Sequence, residues 1–362
     1  MLNLFFAGLG SLLITILAVF PTIKLANKYK LTDDPKFRPH PARIEKRVVP
    51  RAGGLPIFLG ICLTSLVFVH FDKYLVGILL SLSLLLAVGL TDDLLTNFSP
   101  YPRLILQFLS AAIVVGFGIG ITFINNPLGG TIRLDTIILP INFFGVHNII
   151  LIADIFAYLW IVWMMNMVNW SKGTDGQMPG MIAVAGFILG IFSYKLFLGG
   201  DPNQFNIAIL SFITAGASLG FLIFNWYPAK IFPGFSGSTI LGFMIAVLSI
   251  LSGAKLAIAL LILIVPVTDF FYTFFRRILS GKSPLFADQK HLYHMLLKRG
   301  WSHQKIALFY ILGSVILGAA ALNLSSGGKL FAVILGVTAI LAVILWLNFF
   351  GDFLKRRAPD NG

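Results

Sequence analysis

Residues 149–165 read Ile-Ile-Leu-Ile-Ala-Asp-Ile-Phe-Ala-Tyr-Leu-Trp-Ile-Val-Trp-Met-Met, and residues 166–177 continue Asn-Met-Val-Asn-Trp-Ser-Lys-Gly-Thr-Asp-Gly-Gln. The first part is apolar except for Asp154 and is long enough to cross a hydrocarbon core as a helix. The second part is polar and broken by glycines, so its backbone cannot lie exposed in lipid. Together they predict a membrane helix that ends at a polar site.

The composition of the whole chain agrees with this interpretation. Of its 362 residues 57% are hydrophobic and only 11% are charged, which is too little polar surface for a soluble globule. The apolar runs have the length of membrane helices rather than of barrel strands. We therefore predict an all-α polytopic membrane protein with about eleven transmembrane helices, at residues 2–23, 53–71, 74–91, 103–124, 148–168, 178–198, 206–224, 237–253, 255–275, 304–323 and 329–350.

The loops between these runs leave no room for a separate soluble domain, so residues 1–362 are predicted to form a single integral membrane domain. The lone cysteine, Cys62, lies inside the second span and excludes a disulfide framework. One loop, residues 125–147, is long enough to carry structure of its own. Its Pro-Leu-Gly-Gly turn followed by the β-rich run 131–138 predicts a small extracytoplasmic β-hairpin.

Basic residues indicate the orientation, because they concentrate in short loops on the cytoplasmic side. If eleven spans alternate from an outside N-terminus, the inner loops and tail hold 22 of the 27 Lys and Arg residues. The net charge of +13 is then mainly a topology signal and an attraction to anionic membrane lipids. Because the charges are dispersed over helix ends, the sequence does not favour nucleic acid as a partner.

The same topology brings every polar cluster to the cytoplasmic face, which predicts one active site built from cytoplasmic loops. Asp92 and Asp93 end the third span, and Pro266 is expected to bend the ninth. The other clusters are the loop 166–177, residues 232–238 before the eighth span, and the histidine pair His291 and His294.

The residue types in these clusters suit anionic substrates. Asn166, Asn169 and Asp175 supply oxygens for a hard cation or a nucleotide, while the neighbouring glycines admit backbone N–H groups to a phosphate. Two histidines spaced three apart would share a helix face as zinc ligands do, but the surrounding basic residues favour a phosphate-binding loop. The alternatives are an ordinary carboxylate pair at a helix end for Asp92 and Asp93, a polar re-entry turn for residues 166–177, simple helix capping for residues 234–238, and a solvated loop for the histidines.

In order and content these motifs resemble the polyprenyl-phosphate N-acetylhexosamine-1-phosphate transferases, especially the bacterial undecaprenyl-phosphate N-acetylglucosamine branch. The matching segments lie between about residues 31 and 310. They are Asp34-Pro35 with Pro50-Arg-Ala-Gly-Gly54, Asp92-Asp-Leu-Leu with Gln107, Asn166-Met-Val-Asn169 with Asp175-Gly176, Phe224-Asn225 through Gly237-Ser238, and Arg276-Arg-Ile-Leu-Ser-Gly-Lys282 through His291-Leu-Tyr-His294.

The resemblance implies transfer of a sugar 1-phosphate from a UDP-N-acetylhexosamine to a polyprenyl phosphate, with release of UMP and usually with Mg²⁺. It implies that Asp92 and Asp93 are catalytic and, with Asn169, bind the metal. It further implies a multi-pass protein of the cell membrane whose product begins a lipid-linked cell-envelope glycan, and a homodimer is compatible with it. Residues expected to bind substrate are Asn166, Lys172, Asp175, Arg276, Lys282, His291 and His294.

The chain also departs from the family pattern. Lys172 stands where the family commonly has Asp, and Phe235 stands at a metal-ligand Asp. The first change adds two positive charge units and the second removes a negative one. Phe cannot bind Mg²⁺, so the expected metal site is altered. Thr96, Arg103 and Tyr293 are further departures from the pattern.

Two alternatives stay open at this point. The altered site belongs either to a divergent transferase, which we favour, or to a catalytically silent relative that binds polyprenyl phosphate or nucleotide as a scaffold or regulator. A transporter would need an ionisable residue near the middle of the bilayer, and Asp154 is expected to lie nearer the outer end.

Overall fold

The computed structural model describes residues 1–35, 47–95, 99–126, 129–142, 146–253, 256–283 and 289–349. The helices in these ranges are α1 Leu2–Lys28, α2 Gly54–Phe68, α3 Lys73–Leu94, α4 Pro100–Gly116, α5 Leu151–Trp170, α6 Gln177–Leu198, α7 Gln204–Asn225, α8 Gly234–Leu251, α9 Leu256–Ile262, α10 Ile264–Leu279, α11 Leu292–Lys298, α12 His303–Ala321 and α13 Ser326–Phe349. The strands are β1 Thr32–Asp33, β2 Val49–Pro50, β3 Phe123–Asn125, β4 Thr131–Arg133, β5 Ile138–Asn142 and β6 Val146–Ile150.

The protein is an all-α multi-pass membrane protein, as the sequence predicts. Within the described ranges, eight helices are long and apolar enough to cross a membrane, and α9 with α10 forms a further bent span. The apolar helices α2 and α4 are shorter. Each predicted span overlaps one of these helices or the bent pair, while the count of eleven crossings stays a prediction.

The bend between α9 and α10 measures 87° and confirms the expected effect of Pro266. The helix breaks at Leu263, three residues before the proline. This is the expected place, because Pro266 has no N–H to donate to the carbonyl of Ile262 one turn earlier. The bend turns α10 so that its polar residues lie at the end of the bundle where the site is built.

Helix α8 is the centre of the bundle. Its residues from Gly234 to Ile250 are all buried, and it packs against α2, α3, α5, α7 and α9. Small residues make this possible near its N-terminus: a Cβ on Gly89 of α3 would lie 2.3 Å from the Cα of Ser236. The close contact of the two backbones is typical of helix packing in membranes, and it holds the end of α3 against the start of α8.

The outer helices expose apolar surface. Helix α13 is the clearest case, with Phe331, Leu335 and Trp346 among its many exposed side chains. An apolar outer surface of this kind is expected where lipid rather than water surrounds the helix.

Residues 123–150 hold two antiparallel strand pairs, whereas the sequence predicted one hairpin. Strand β3 pairs with β4, and β5 pairs with β6. The side of the membrane on which they lie stays a prediction.

Candidate active site

The candidate site lies where the last turns of α3 and α5 meet the first turn of α8. Asp92 and Asp93 end α3, and Asn166 and Asn169 end α5. Between α5 and α6 runs the short loop that carries Lys172. These elements bring the predicted aspartate and asparagine motifs together.

Asp93 is fully buried and holds the N-terminus of α8. Its carboxylate accepts hydrogen bonds from the backbone N–H of Phe235 at 2.9 Å and from the Ser236 hydroxyl at 2.7 Å. The first N–H groups of a helix have no partner within the helix, so a carboxylate from α3 satisfies them here. Gly234 allows this approach: its φ is +67°, and a Cβ there would lie 2.2 Å from an Asp93 oxygen. Asp93 is therefore an anchor between two helices as well as a catalytic candidate.

The segment around β2 brings a cation to this anchor. The Phe232 N–H donates to the carbonyl of Pro50, and the Gly53 N–H donates to the carbonyl of Phe232. These bonds fix Arg51 beside α8, and its guanidinium lies 3.3 Å from Asp93 Oδ1.

Asp92 has a different partner, as expected for neighbouring helical residues about 100° apart. It is buried and forms an ion pair with Arg103 of α4. The Arg103 guanidinium also lies 5.5 Å from the centroid of the Phe235 ring, within cation–π range. Phe235, where the family pattern has a metal-binding Asp, thus packs beneath a positive charge.

Lys172 points into this cluster and not into solvent. Its half-buried side chain donates from Nζ to the carbonyl of Gly234 at 3.0 Å and contacts Ser238 Oγ at 3.5 Å. Burial lowers the pKa of Lys172 to about 8, and the neighbouring Arg51 charge adds to that shift. The Asp93 carboxylate acts in the opposite direction.

The two asparagines of α5 face different neighbours. Asn169 Oδ1 accepts a hydrogen bond from the Ser238 hydroxyl at 2.8 Å, so it lies next to the Lys172 contact. Asn166 donates from Nδ2 to Gln107 Oε1 at 2.8 Å and lies against α4. Their substrate and metal roles stay predictions.

Asp175 stabilises the loop between α7 and α8. It is buried, and its carboxylate accepts from the Ala229 N–H at 2.9 Å. Beside it, the Gly176 N–H donates to Asn225 Oδ1 at 3.1 Å. In this arrangement Asp175 orders the wall of the site, and its predicted contact with a nucleotide is untested.

These residues do not fit a magnesium ion, which takes an octahedral set of oxygen ligands. The described residues contain no group of three or more His, Cys, Asp and Glu side chains that could hold a metal. Asp92 is paired with Arg103, and Asp93 accepts from α8 and Arg51. The lysine ammonium lies among the remaining oxygens.

A second polar group lies on α10 and in the segment that carries His291 and His294, called here the histidine loop. His291 Nδ1 is 2.7 Å from Asp269 Oδ2, and both side chains are buried. The other oxygen, Oδ1, accepts from the Leu292 N–H at 2.8 Å. Because a carboxylate only accepts, it orients the imidazole with a proton on Nδ1.

Sequence reasoning missed Asp269, which is hidden in the apolar ninth span. The signal that identifies it is helical spacing: Asp269, Thr273 and Arg277 recur every four residues on one face of α10, and all three are buried. They form a buried polar stripe on a helix that is largely apolar.

Of the two adjacent arginines, Arg277 is the buried one. Its guanidinium lies 4.8 Å from the centroid of Trp170, whose ring meets His291 edge-on at 6.0 Å. The predicted residue Arg276 is partly buried and lies 5.7 Å from the Tyr272 ring. Lys282 is exposed. We therefore add Arg277 to the candidate residues.

The two groups meet through Gly173 and Tyr293. A Cβ on Gly173 would lie 2.3 Å from the Tyr293 ring, so the loop after α5 packs directly on the histidine loop. Buried His294 packs on the same ring, with centroids 4.2 Å apart. Thr96 lies outside the described residues, and so does Asp288, which belongs to the matching segment between Lys282 and His291.

Fold and site define a membrane-embedded protein with a buried charged centre at one end of its helices, and comparison with known proteins gives its family. The glycosyl transferase family 4 profile matches residues 75–253. The chain is 30% identical over 390 residues to the decaprenyl-phosphate N-acetylglucosaminephosphotransferase of Mycobacterium tuberculosis, covering 98% of this chain and 89% of the relative. The corresponding Mycolicibacterium smegmatis protein is 29% identical over 388 residues with the same coverage.

A third relative is the probable undecaprenyl-phosphate N-acetylglucosaminyl 1-phosphate transferase of Bacillus subtilis, 29% identical over 324 residues, or 87% of this chain and 83% of the relative. The chain belongs to glycosyl transferase family 4. The family profile covers the aspartate, asparagine and α8 motifs and ends before the histidine loop.

Proposed function

We propose that this protein transfers N-acetylhexosamine 1-phosphate from a UDP-sugar to a polyprenyl phosphate. An oxygen of the lipid phosphate attacks the β-phosphorus of the nucleotide sugar. The bond from that phosphorus to the oxygen bridging the α-phosphorus breaks, and UMP leaves with the bridging oxygen. The product is a diphosphate-linked lipid sugar, the starting unit of a lipid-linked cell-envelope glycan.

The observation that carries the proposal is the convergence of two charged groups on one end of a membrane bundle. One group contains Asp92 of α3, Arg103 of α4 and Lys172 of the loop after α5. The other contains Asp269 of α10 and His291, which directly precedes α11. A lipid phosphate and a nucleotide diphosphate both carry negative charge, so their reaction depends mainly on positioning and charge neutralisation. The names of the relatives support the same reaction.

The residue roles follow from position. We assign the catalytic role to the carboxylates of Asp92 and Asp93. Asp93 has the additional function of anchoring the N-terminus of α8. In the group near α8, the residues proposed to contact substrate are Asn166, Lys172 and Asp175. In the group formed by α10 and the histidine loop, they are Arg276, Lys282, His291 and His294, with Arg277 added.

The site is proposed to face the cytoplasm of a bacterial plasma membrane, where a nucleotide sugar is available. Surrounding membrane lipids and the polyprenyl chain would contact the apolar outer helices. The homodimer stays an expectation that gel filtration with light scattering can test.

The direct test is to incubate the purified protein with undecaprenyl phosphate and a panel of UDP-N-acetylhexosamines, and to measure UMP. We expect UMP release that requires the lipid phosphate and at least one of the sugars. Binding of UDP-sugar without any UMP release would instead favour the catalytically silent relative.

The proposed orientation predicts which loops are accessible from each side. In a Cys62→Ala background, single cysteines replacing the exposed Ser99 and Ser283 should react with a membrane-impermeant maleimide only from the cytoplasm. A cysteine replacing the exposed Thr131 should react only from outside. Labelling of Ser283 and Thr131 positions from the same side would contradict this topology.

A further inference from the structure

We propose that the Lys172 ammonium, supported by Arg103, is a built-in cation that binds the diphosphate of the nucleotide sugar in the place of a divalent metal ion. The inference rests on the proposed function and concerns the same site. It starts from the observation that the carboxylates and the amide expected to hold the metal already have protein partners.

The contacts of Lys172 leave it able to bind an anion. Its two hydrogen-bond neighbours, the Gly234 carbonyl and the Ser238 hydroxyl, are neutral, and the second contact is long at 3.5 Å. Among the described residues, no carboxylate oxygen lies within the 4.0 Å of an ion pair with its Nζ. An ammonium has three donors and is poorly stable when buried without a counter-charge. Lys172 is therefore a positioned cation with capacity for a phosphate oxygen.

The second observation is the environment of Phe235. Its buried ring cannot ligate a metal, but it lies under the Arg103 guanidinium, which also pairs with Asp92. The metal-ligand position of the family pattern has thus become a support for a second protein cation. Lys172 approaches the cluster from the loop after α5 and Arg103 from the first turn of α4, so two fixed positive groups lie where the pattern has a metal ion.

Charge balance supports the same inference. The cluster contains three cations, Arg51, Arg103 and Lys172, and two carboxylates, Asp92 and Asp93. The charges of the other four residues all influence the pKa of Lys172. Two of the cations are paired with the two carboxylates. Counted over these five described residues, the cluster has one positive charge in excess, which suits a diphosphate and disfavours an added divalent ion.

A pH profile gives one readout. Since burial lowers the pKa of Lys172 to about 8, the charged form is present below that pH and is lost above it, with Arg51, Arg103, Asp92 and Asp93 as the charges that face it. UMP release should fall between pH 7.5 and 9.5 in the parent. In a Lys172→Arg variant, which stays charged, it should not fall over this range.

The deciding experiment measures UDP-N-acetylglucosamine binding by calorimetry, and UMP release, each in EDTA and in Mg²⁺. Lys172→Met keeps the unbranched shape and most of the length of the side chain and removes its charge. Lys195→Ala removes an exposed lysine at the other end of α6 and is the matched control. The double variant Lys172→Asp with Phe235→Asp rebuilds the family pattern.

We expect the parent to bind the nucleotide in EDTA, and we expect Mg²⁺ to change its affinity and its UMP release only slightly. Lys172→Met should weaken binding and turnover about 10²-fold, and the double variant should require Mg²⁺ for both. Normal nucleotide binding by Lys172→Met in EDTA, or a parent that binds only with Mg²⁺, would overturn the inference while leaving the transferase proposal intact. If the parent binds nucleotide but releases no UMP with any UDP-N-acetylhexosamine of the panel, the transferase proposal fails, and the binding measurements still decide the role of Lys172.

Discussion

Asp93→Ala is expected to lower the free energy of unfolding by about 3–5 kcal/mol, the usual cost of removing one partner of a buried ion pair. The variant leaves the Arg51 guanidinium without its carboxylate. It also leaves the Phe235 N–H and the Ser236 hydroxyl without their acceptor. All three donors lie where α3 meets the central helix α8, so the loss affects the core of the bundle.

The matched variant is Asp92→Ala, one residue earlier on the same helix. Its partner Arg103 keeps about a third of its side chain exposed and can turn to water. The expected loss of stability is therefore smaller, about 1–2 kcal/mol. Thermal unfolding of both variants in the same detergent measures the structural role of each aspartate, and UMP release measures its catalytic role. Equal unfolding temperatures would contradict the anchor role of Asp93.

Much of the fold could be predicted from composition, because the length of an apolar run in a membrane protein reflects the thickness of the bilayer. The helix positions follow from it. The break at Leu263 follows from the chemistry of Pro266. The two strand pairs between residues 123 and 150 were only partly predicted, since the pairing of strands depends on contacts that the local pattern does not contain.

The aspartate pair illustrates what could not be predicted. Sequence identifies Asp92 and Asp93 as a polar pair at a helix end, and the 100° rotation between them predicts different partners. That the partner of Asp93 would be the backbone of α8 depends on packing about 140 residues away in the chain. Nearly every residue has a main-chain N–H, so the residue types in α8 do not reveal that its N–H groups bind this carboxylate.

Asp269 was missed for another reason. A single carboxylate in an apolar run has no local pattern that marks it as functional, and Asp154 in α5 has the same sequence character. The spacing of Asp269, Thr273 and Arg277 identifies one face of α10, but only the bend in the chain brings that face to His291. A search for polar residues at intervals of four within apolar helices would have found all three.

The second large effect is expected for Asp269→Asn, which should lower UMP release about 10²-fold, or roughly 2.7 kcal/mol in activation free energy. The carboxylate accepts from His291 Nδ1 and from the Leu292 N–H at the same time. An amide has one acceptor oxygen, so its NH₂ group would face Nδ1 and favour the other tautomer of the imidazole. The Nε2 atom of His291 would then carry the proton, whereas in the native ring Nε2 is unprotonated and can accept one.

Asp269 acts here as a positioning residue, and a double-mutant cycle distinguishes this from a general loss of structure. If Asp269 acts through His291, the His291→Ala variant and the Asp269→Asn/His291→Ala double variant should show the same turnover. Asp154→Asn is the matched control, because Asp154 lies on another apolar helix and accepts from the Ile150 N–H at 2.9 Å. It should leave turnover within a few fold of the parent, since Asp154 is at the opposite end of α5 from Asn169. Near-normal turnover in Asp269→Asn would remove this pair from the mechanism. Fully additive losses in the cycle would show that the carboxylate acts independently of His291, through the Leu292 backbone and the fold of the histidine loop.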